Sequence, residues 1–342
     1  MSAPFRVDVG GDPGIGPLEL AARAAEAEAA GFDGVGAAET AHDPFLALAL
    51  AARETSRIEL LSTIAVAFAR SPMTVAQSAF DLQAISGGRF LLGLGSQVRP
   101  HIERRFSMPW SKPAARMAEF VRAVRAIWAT WQTEEPLRFQ GEFYAHTLMT
   151  PFFSPPPLAG GPPPVWLAAV GERMTEVAGE VGDGLHAHSF TTARYLEEVS
   201  LPALRRGAAR AGRDASTLGV ALPALVAIGD DVTGLDAAVR ATKGQIAFYG
   251  STPAYLPVLA AHGWEGLHDR LHAASRRGEW DAMPDLVDDE VLAAFAAVGT
   301  AEEVAAELRA RFGGLVTRLS FSSNAPMAEA TRAALVEALR AP

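Results

Sequence analysis

Apolar and polar positions along this chain exchange regularly between a short period and a longer one. "FRVDVG" (5–10) has strand composition, and "GPLELAARAAEAEAAG" after it has the alanine-rich, charge-studded pattern of an amphipathic helix. "GFDGVGAAE" (31–39) predicts a turn and a short strand. "DPFLALALAARETS" then opens a helix, with Asp43 as cap and Pro44 in its first turn. "RIELLSTIAVAF" (57–68) predicts a buried strand, "SPMTVAQSAFDLQAIS" a helix, and residues 89–95 a fourth strand. Four strand–helix units in about 130 residues predict a parallel sheet.

The exchange resumes after residue 163. "PPVWLAAVG" (163–171), "DGLHAHSF", "TLGVALPALVAIG" (217–229) and "VTRLSFSS" (316–323) predict four more strands. Helices are expected at "ERMTEVAGEV", 192–211, 234–249 and 301–311. The joints "AGFDGV", "SGGRF" and "VGDGL" each place glycine, and often Asp, where a helix gives way to a strand, as left-handed caps would. Eight such units favour a closed (β/α)8 TIM barrel over an open doubly wound sheet. Two insertions interrupt it, one after strand 4 and one before strand 8. Residues 136–164 read as a hairpin followed by a stiff run with seven prolines in its last fourteen residues. Residues 251–298 read as several short helices anchored by Trp264 and Trp280. No interdomain linker stands out, so residues 1–342 are expected to form a single domain.

Composition narrows the function. The 342 residues carry a formal net charge of -9, which argues against general affinity for nucleic acid or anionic membrane. The absence of cysteine excludes disulfides, thiolate nucleophiles and Cys-ligated metals. "MSAPFRVDVG" has no apolar signal core and no apolar run suits a membrane span, so a cytoplasmic location is expected. "GLGSQV" (93–98) lacks the third glycine of a dinucleotide fingerprint, because Val98 stands there and Pro100 follows.

In a barrel the site lies at the C-terminal ends of the strands, which here are rich in small residues and thin in acids and bases. That suits a large flat cofactor held by backbone better than hydrolysis. In "AAVGERMTE" a strand ends in Ala168, Ala169 and Val170, and a helix begins at Gly171. Its free N–H groups would cradle a phosphate; a tight strand–helix turn is the alternative. His186 and His188 share one face of a strand, the geometry of a metal pair in some barrel hydrolases. With no acidic partner well placed except Glu39, no metal is expected, and the preferred reading has His188 line a cofactor while the other histidine is packed or hydrogen-bonded. Glu39 ends the second strand as a candidate proton acceptor or ring-edge partner; capping the following helix is its alternative role. Arg70, Arg99, Arg104 and Arg105 form a basic rim, either for an anionic ligand group or as solvated charge.

The stretches "AEAAGFDGVGAAETAHDPFLALALAA", "IAVAFARSPMTVAQSAFDLQAISGGRFLLGLGSQV", "PVWLAAVGERMTEVAGEVGDGLHAH" and "GTAEEVAAELRARFGGLVTRLSFSS" resemble the bacterial luciferase-like flavin and deazaflavin oxidoreductases, in particular the branch using coenzyme F420. The resemblance implies hydride transfer between the deazaflavin C5 and an organic small-molecule substrate, with an FMN-dependent monooxygenase as the alternative. It places Gly95 against the ring, Ser96 and Gln97 beside it, and Ala168 to Gly171 around the phosphate. It further implies a non-proline cis peptide near Ser62-Thr63-Ile64, so that Thr63 and Ile64 lie under the ring. Relatives commonly form homodimers. Many carry an Asp-His pair at the end of the second strand; here Glu39 and Thr40 stand there, and His42 follows two residues later. Glu39 and His42 are the candidate catalytic pair.

Overall fold

The computed structural model describes residues 5–11, 14–323, 325 and 327–340. Eight parallel strands close on themselves: β1 (Arg6–Val9), β2 (Gly34–Ala37), β3 (Glu59–Ser62), β4 (Phe90–Gly95), β5 (Val165–Ala169), β6 (Gly184–Ala187), β7 (Gly219–Ile228) and β8 (Arg318–Ser322). β8 pairs with β1, Val7 facing Leu319, and so completes the barrel. The predicted strands are present, each trimmed where backbone leaves the ladder. The one predicted over 57–68 is divided.

The strands are buried on both faces, which is why they read as nearly continuous apolar runs. Val7, Val35, Leu60, Leu92, Leu167, Leu185 and Leu319 belong to the main core, shared with the helices. Leu61, Leu91, Trp166 and Ala221 form a separate cluster inside the barrel. Glycine makes room there. A Cβ at Gly184 or Gly219 would strike the Trp166 ring, and one at Gly34 would strike Asp8, Leu61 and Arg318. Arg318 fills the lower interior, donating to Asp8 at 2.6 and 2.7 Å and pairing with Glu59. Burial opposes its charge, but the two carboxylates outweigh it and raise its pKa.

The repeated joints have a common use. Asp33 accepts the Val7 N–H and Asp183 the Val165 N–H, both at 2.8 Å, so each pins the strand before its own. Gly31, Gly87 and Gly88 adopt positive φ as expected, whereas Gly182 does not, with φ −93°. Gly182 is needed for space instead: a Cβ would meet the Ala178 carbonyl.

β3 does not run straight into its continuation. Leu61 pairs with Leu91, yet Ala65 pairs with Leu94, so β3 holds one residue more than β4 over the same span. That extra residue makes a bulge at Ser62-Thr63-Ile64, and the Thr63–Ile64 peptide is cis. Ser62 Oγ accepts the Gly93 N–H at 2.8 Å and donates to the Gly93 carbonyl at 2.9 Å, replacing ladder bonds lost at the bulge.

The 136–164 insert contains the expected hairpin, Phe139–Gln140 against Ala145–His146, tied to the barrel helix Pro113–Thr133 through Glu119. The 251–298 insert carries short helices, including Leu256–Ala260, Glu265–Arg277 and Asp289–Phe295. Its last residues, however, form a strand, Ala296–Gly299, that pairs with the far half of β7. Trp264 anchors the insert, stacked on His262 at 4.3 Å and packed against a second apolar core. Trp280 does not: it is half exposed beside Phe248, whereas Trp264 is half-buried against that core.

Candidate active site

The bulge is held from both sides. From β2, the Thr63 N–H donates to Ala37 O and the Ile64 carbonyl accepts the Glu39 N–H. The Glu39 carboxylate accepts the Val66 N–H at 2.6 Å and Arg70 Nη1 at 2.5 Å, while Arg70 Nη2 reaches Asp43 at 2.7 Å. Glu39 is nearly enclosed, its side chain 6% exposed against 17% for Arg70. Its negative charge is therefore spent on an ion pair that ties β2 to the end of β3. Asp43 caps the helix Pro44–Glu54 itself, and Glu39 takes no part in that cap. Burial works against the Arg70 charge, but Glu39 and Asp43 raise its pKa above the usual value.

His42 is exposed and makes no hydrogen bond among the described residues. Thr40 Oγ1 accepts the Gly14 N–H at 3.1 Å, and the Thr40 carbonyl accepts from Arg105. The loop after β4 is thus drawn over the loop after β2. Gln97 there has φ 59°, with its side chain folded back on the Val98 N–H; Ser96 donates to the Gln97 carbonyl. Arg99 pairs with Glu103 one turn on, while Arg104 is exposed and shows no partner among the described residues.

Glycines floor the mouth. A Cβ at Gly95 would strike the Ile64 side chain at 2.7 Å and touch Ala168, so Ile64, Gly95 and Ala168 meet beside the bulge. A Cβ at Gly36 would strike Thr63, and one at Gly93 would fall on the Ser62 carbonyl oxygen and His186 Nε2. His186 therefore points to the barrel axis. It is 8% exposed, and burial, aided by the Arg318 charge, lowers its pKa to about 3. His186 Nε2 and Thr63 Oγ1 are both buried without a hydrogen-bond partner. Orphaned polar atoms in such a place point to water or a ligand group above them.

His188 stands one layer above His186. Its Nδ1 accepts the Phe190 N–H at 3.0 Å, its Nε2 lies 3.2 Å from the Tyr255 hydroxyl, and burial lowers its pKa to about 4. The two histidines are thus placed apart in depth. No group of three or more His, Asp or Glu able to hold a metal occurs among the described residues. At the end of β5, Ala168, Ala169 and the following Val170 lie half-buried; Gly171 precedes the helix Glu172–Val181, whose start no side chain caps. A Cβ at Gly171 would meet open space. Tyr195 donates to the Val170 carbonyl at 3.2 Å and fixes this edge of the mouth. Sequence reasoning placed Ser62 in the expected cis-peptide stretch without its hydrogen bonds to Gly93, and missed Tyr195 and Tyr255. The tyrosines carried no signal in the sequence.

Fold and mouth together define a (β/α)8 barrel with its candidate site at the C-terminal ends of the strands. The chain belongs to the luciferase-like monooxygenase family, which matches residues 1–318. It is 57% identical over 307 residues to an uncharacterised protein of Mycobacterium tuberculosis, covering 89% of this chain and 90% of that one. A 5,10-methylenetetrahydromethanopterin reductase of Archaeoglobus fulgidus is 28% identical, covering 75% of this chain and 74% of the relative. Among solved structures, the coenzyme F420-dependent tetrahydromethanopterin reductase of Methanopyrus kandleri superposes with a TM-score of 0.78 at 23% identity, over 98% of each chain. An F420-dependent secondary alcohol dehydrogenase gives 0.77 at 18% identity, covering 99% of this chain and all of that one. No helix among the described residues is long and apolar enough to cross a membrane.

Proposed function

We propose that the protein is an F420-dependent oxidoreductase acting on a small organic substrate bound at the barrel mouth. The observation that carries the reading is the floor of that mouth: the clamped bulge at Ser62-Thr63-Ile64, bare glycine at Gly95, and two orphaned buried polar atoms beneath. Those features fit a flat ring resting on backbone. When bound, F420 supplies or accepts a hydride at its deazaflavin C5.

In this reading Thr63, Ile64 and Gly95 support the ring, Ser96 and Gln97 border its edge, and His188 faces it from across the mouth. Ala168 to Gly171 and the uncapped amides after them receive the phosphate. Arg104, with the Arg99 and Arg105 that flank it, meets the anionic tail. Glu39 and Arg70 hold the bulge in place, and Glu39 works by positioning rather than by taking up a proton. His42, exposed and without a hydrogen bond among the described residues, is the remaining member of the expected catalytic pair. The names carried by similar proteins, the F420-dependent reductase of Methanopyrus kandleri and an F420-dependent oxidoreductase of M. tuberculosis, support the cofactor. The family's description as monooxygenases favours FMN as the second reading.

Titration of cofactor-free protein with F420 and with FMN, followed by fluorescence, separates the two. F420 is expected to bind in the micromolar range or tighter and FMN weakly. Tight FMN binding without F420 binding would overturn the proposal.

A further inference from the structure

Alternation along β6 puts His188 on the same face as His186, and His186 meets Gly93 inside the barrel, so His188 faces the mouth. Its hydrogen bonds fix its tautomer. The Phe190 N–H is an obligate donor, so Nδ1 is the bare nitrogen and, in a neutral ring, Nε2 carries the hydrogen. The contact at 3.2 Å then runs from His188 Nε2–H to the Tyr255 oxygen. The Tyr255 hydroxyl hydrogen is left over, with no acceptor among the described residues. Around it stand half-buried aromatic rings: His188 lies 4.7 Å from Tyr249 and 4.8 Å from Tyr255, and Tyr249 lies 5.4 Å from Tyr255, with the fully buried Phe190 behind them.

We infer that Tyr255, brought to the mouth by the 251–298 insert, donates its hydroxyl hydrogen to the oxygen of a small carbonyl-bearing substrate lying along this aromatic wall. The inference rests on the reading of the mouth as an oxidoreductase site and adds the class of substrate and the residue that selects it. His188 acts as the positioning residue that turns the donor outward. The donor persists across the ordinary pH range, because burial and the neighbouring Tyr249 push the Tyr255 hydroxyl up to about 12. A neutral hydrogen bond of this kind separates ligands with and without the acceptor by about fivefold.

Cyclohexanone and its oxygen-free counterpart methylenecyclohexane serve as probes, with dissociation constants from saturation-transfer NMR on wild type and Tyr255→Phe. Wild type should prefer cyclohexanone about fivefold. Tyr255→Phe should lose that preference through weaker ketone binding, with methylenecyclohexane affinity and thermal melting unchanged. His188→Phe, which removes the orienting N–H, should keep only part of the preference. Equal affinity for both probes in wild type, or an undiminished preference in Tyr255→Phe, would overturn the inference. So would a fall in F420 affinity in Tyr255→Phe as large as the fall for the ketone, because that marks a cofactor contact. Failure of wild type to bind F420 would instead sink the cofactor reading and leave the ketone comparison to stand by itself.

Discussion

His186 and His188 are two residues apart and share one physical condition: both rings are buried with no carboxylate to stabilise the imidazolium. Folding lowers their pKa values from about 6.5 to about 3 and about 4. As pH falls below 6.5 the unfolded chain takes up protons that the folded one refuses, so stability present at neutral pH drains away toward pH 4. Each pH unit in that window costs up to about 1.4 kcal/mol per histidine. Melting temperatures measured between pH 7.5 and 4.5 should fall steadily, and His186→Asn should flatten the decline. A slope no smaller in that variant would show that other groups set the acid limit. Glu39 is a different case, because its charge is already matched by Arg70. Glu39→Gln keeps an acceptor for the Val66 N–H but removes the ion pair, and Arg70 retains Asp43. The expected loss is roughly 1–3 kcal/mol by urea unfolding, with weaker F420 binding as the bulge loosens. A variant that binds F420 like wild type yet cannot turn over would restore the expectation that Glu39 acts on substrate.

Among the elements, the bulged third strand and the helix after β5 decide how the mouth is used. Gly93 lies opposite the bulge, where a side chain would collide with backbone, the Ser62 carbonyl, which cannot swing aside. Gly93→Ala is therefore expected to cost roughly 3 kcal/mol, read from denaturant unfolding. An unchanged midpoint would mean that the bulge yields. Gly171 is the opposite case. Asp43, Ser71, Thr192 and Asp231 cap other helices at this end, but the helix Glu172–Val181 begins with bare amides. Because a side chain at Gly171 meets open space, Gly171→Leu should fold and melt normally. If those amides receive phosphate, the variant should bind F420 at least tenfold more weakly; unchanged affinity would return Gly171 to an ordinary turn.

For the whole molecule the tension is one of charge, since a chain of net charge -9 is proposed to bind an anionic cofactor. The basic rim has to overcome the general repulsion locally, and exposed charges act over only about 8–10 Å at physiological salt. F420 affinity should fall as salt rises from 50 to 500 mM, and Arg104→Gln should lower both the affinity and its salt slope. Arg99 and Arg105 already have partners, so their replacement should have smaller effects. A salt-independent affinity would place the tail elsewhere. The homodimer expected by resemblance is checked by light scattering.

Much of this was legible in one dimension. Strand and helix periods, with Gly and Asp at the joints, are local consequences of backbone sterics and burial. They determined eight βα units, and with them a barrel whose strand ends form the mouth. Glycine at 93 and 95 and the small residues at 168–171 marked that mouth, because only side chains that are absent leave room for a ring or a phosphate. Tertiary structure decided which partners the polar groups took. Glu39 met Arg70, from 31 residues away, and so lost the freedom that its place at a strand end implied. The third strand's extra residue became visible only when the β4 register was counted against it. Tyr255 reached His188 across 67 residues because the insert folds back over β6, a long-range pairing that no local period encodes. Periodicity fixes which face of an element is buried; which two buried groups meet depends on how the closed barrel and its inserts fit together.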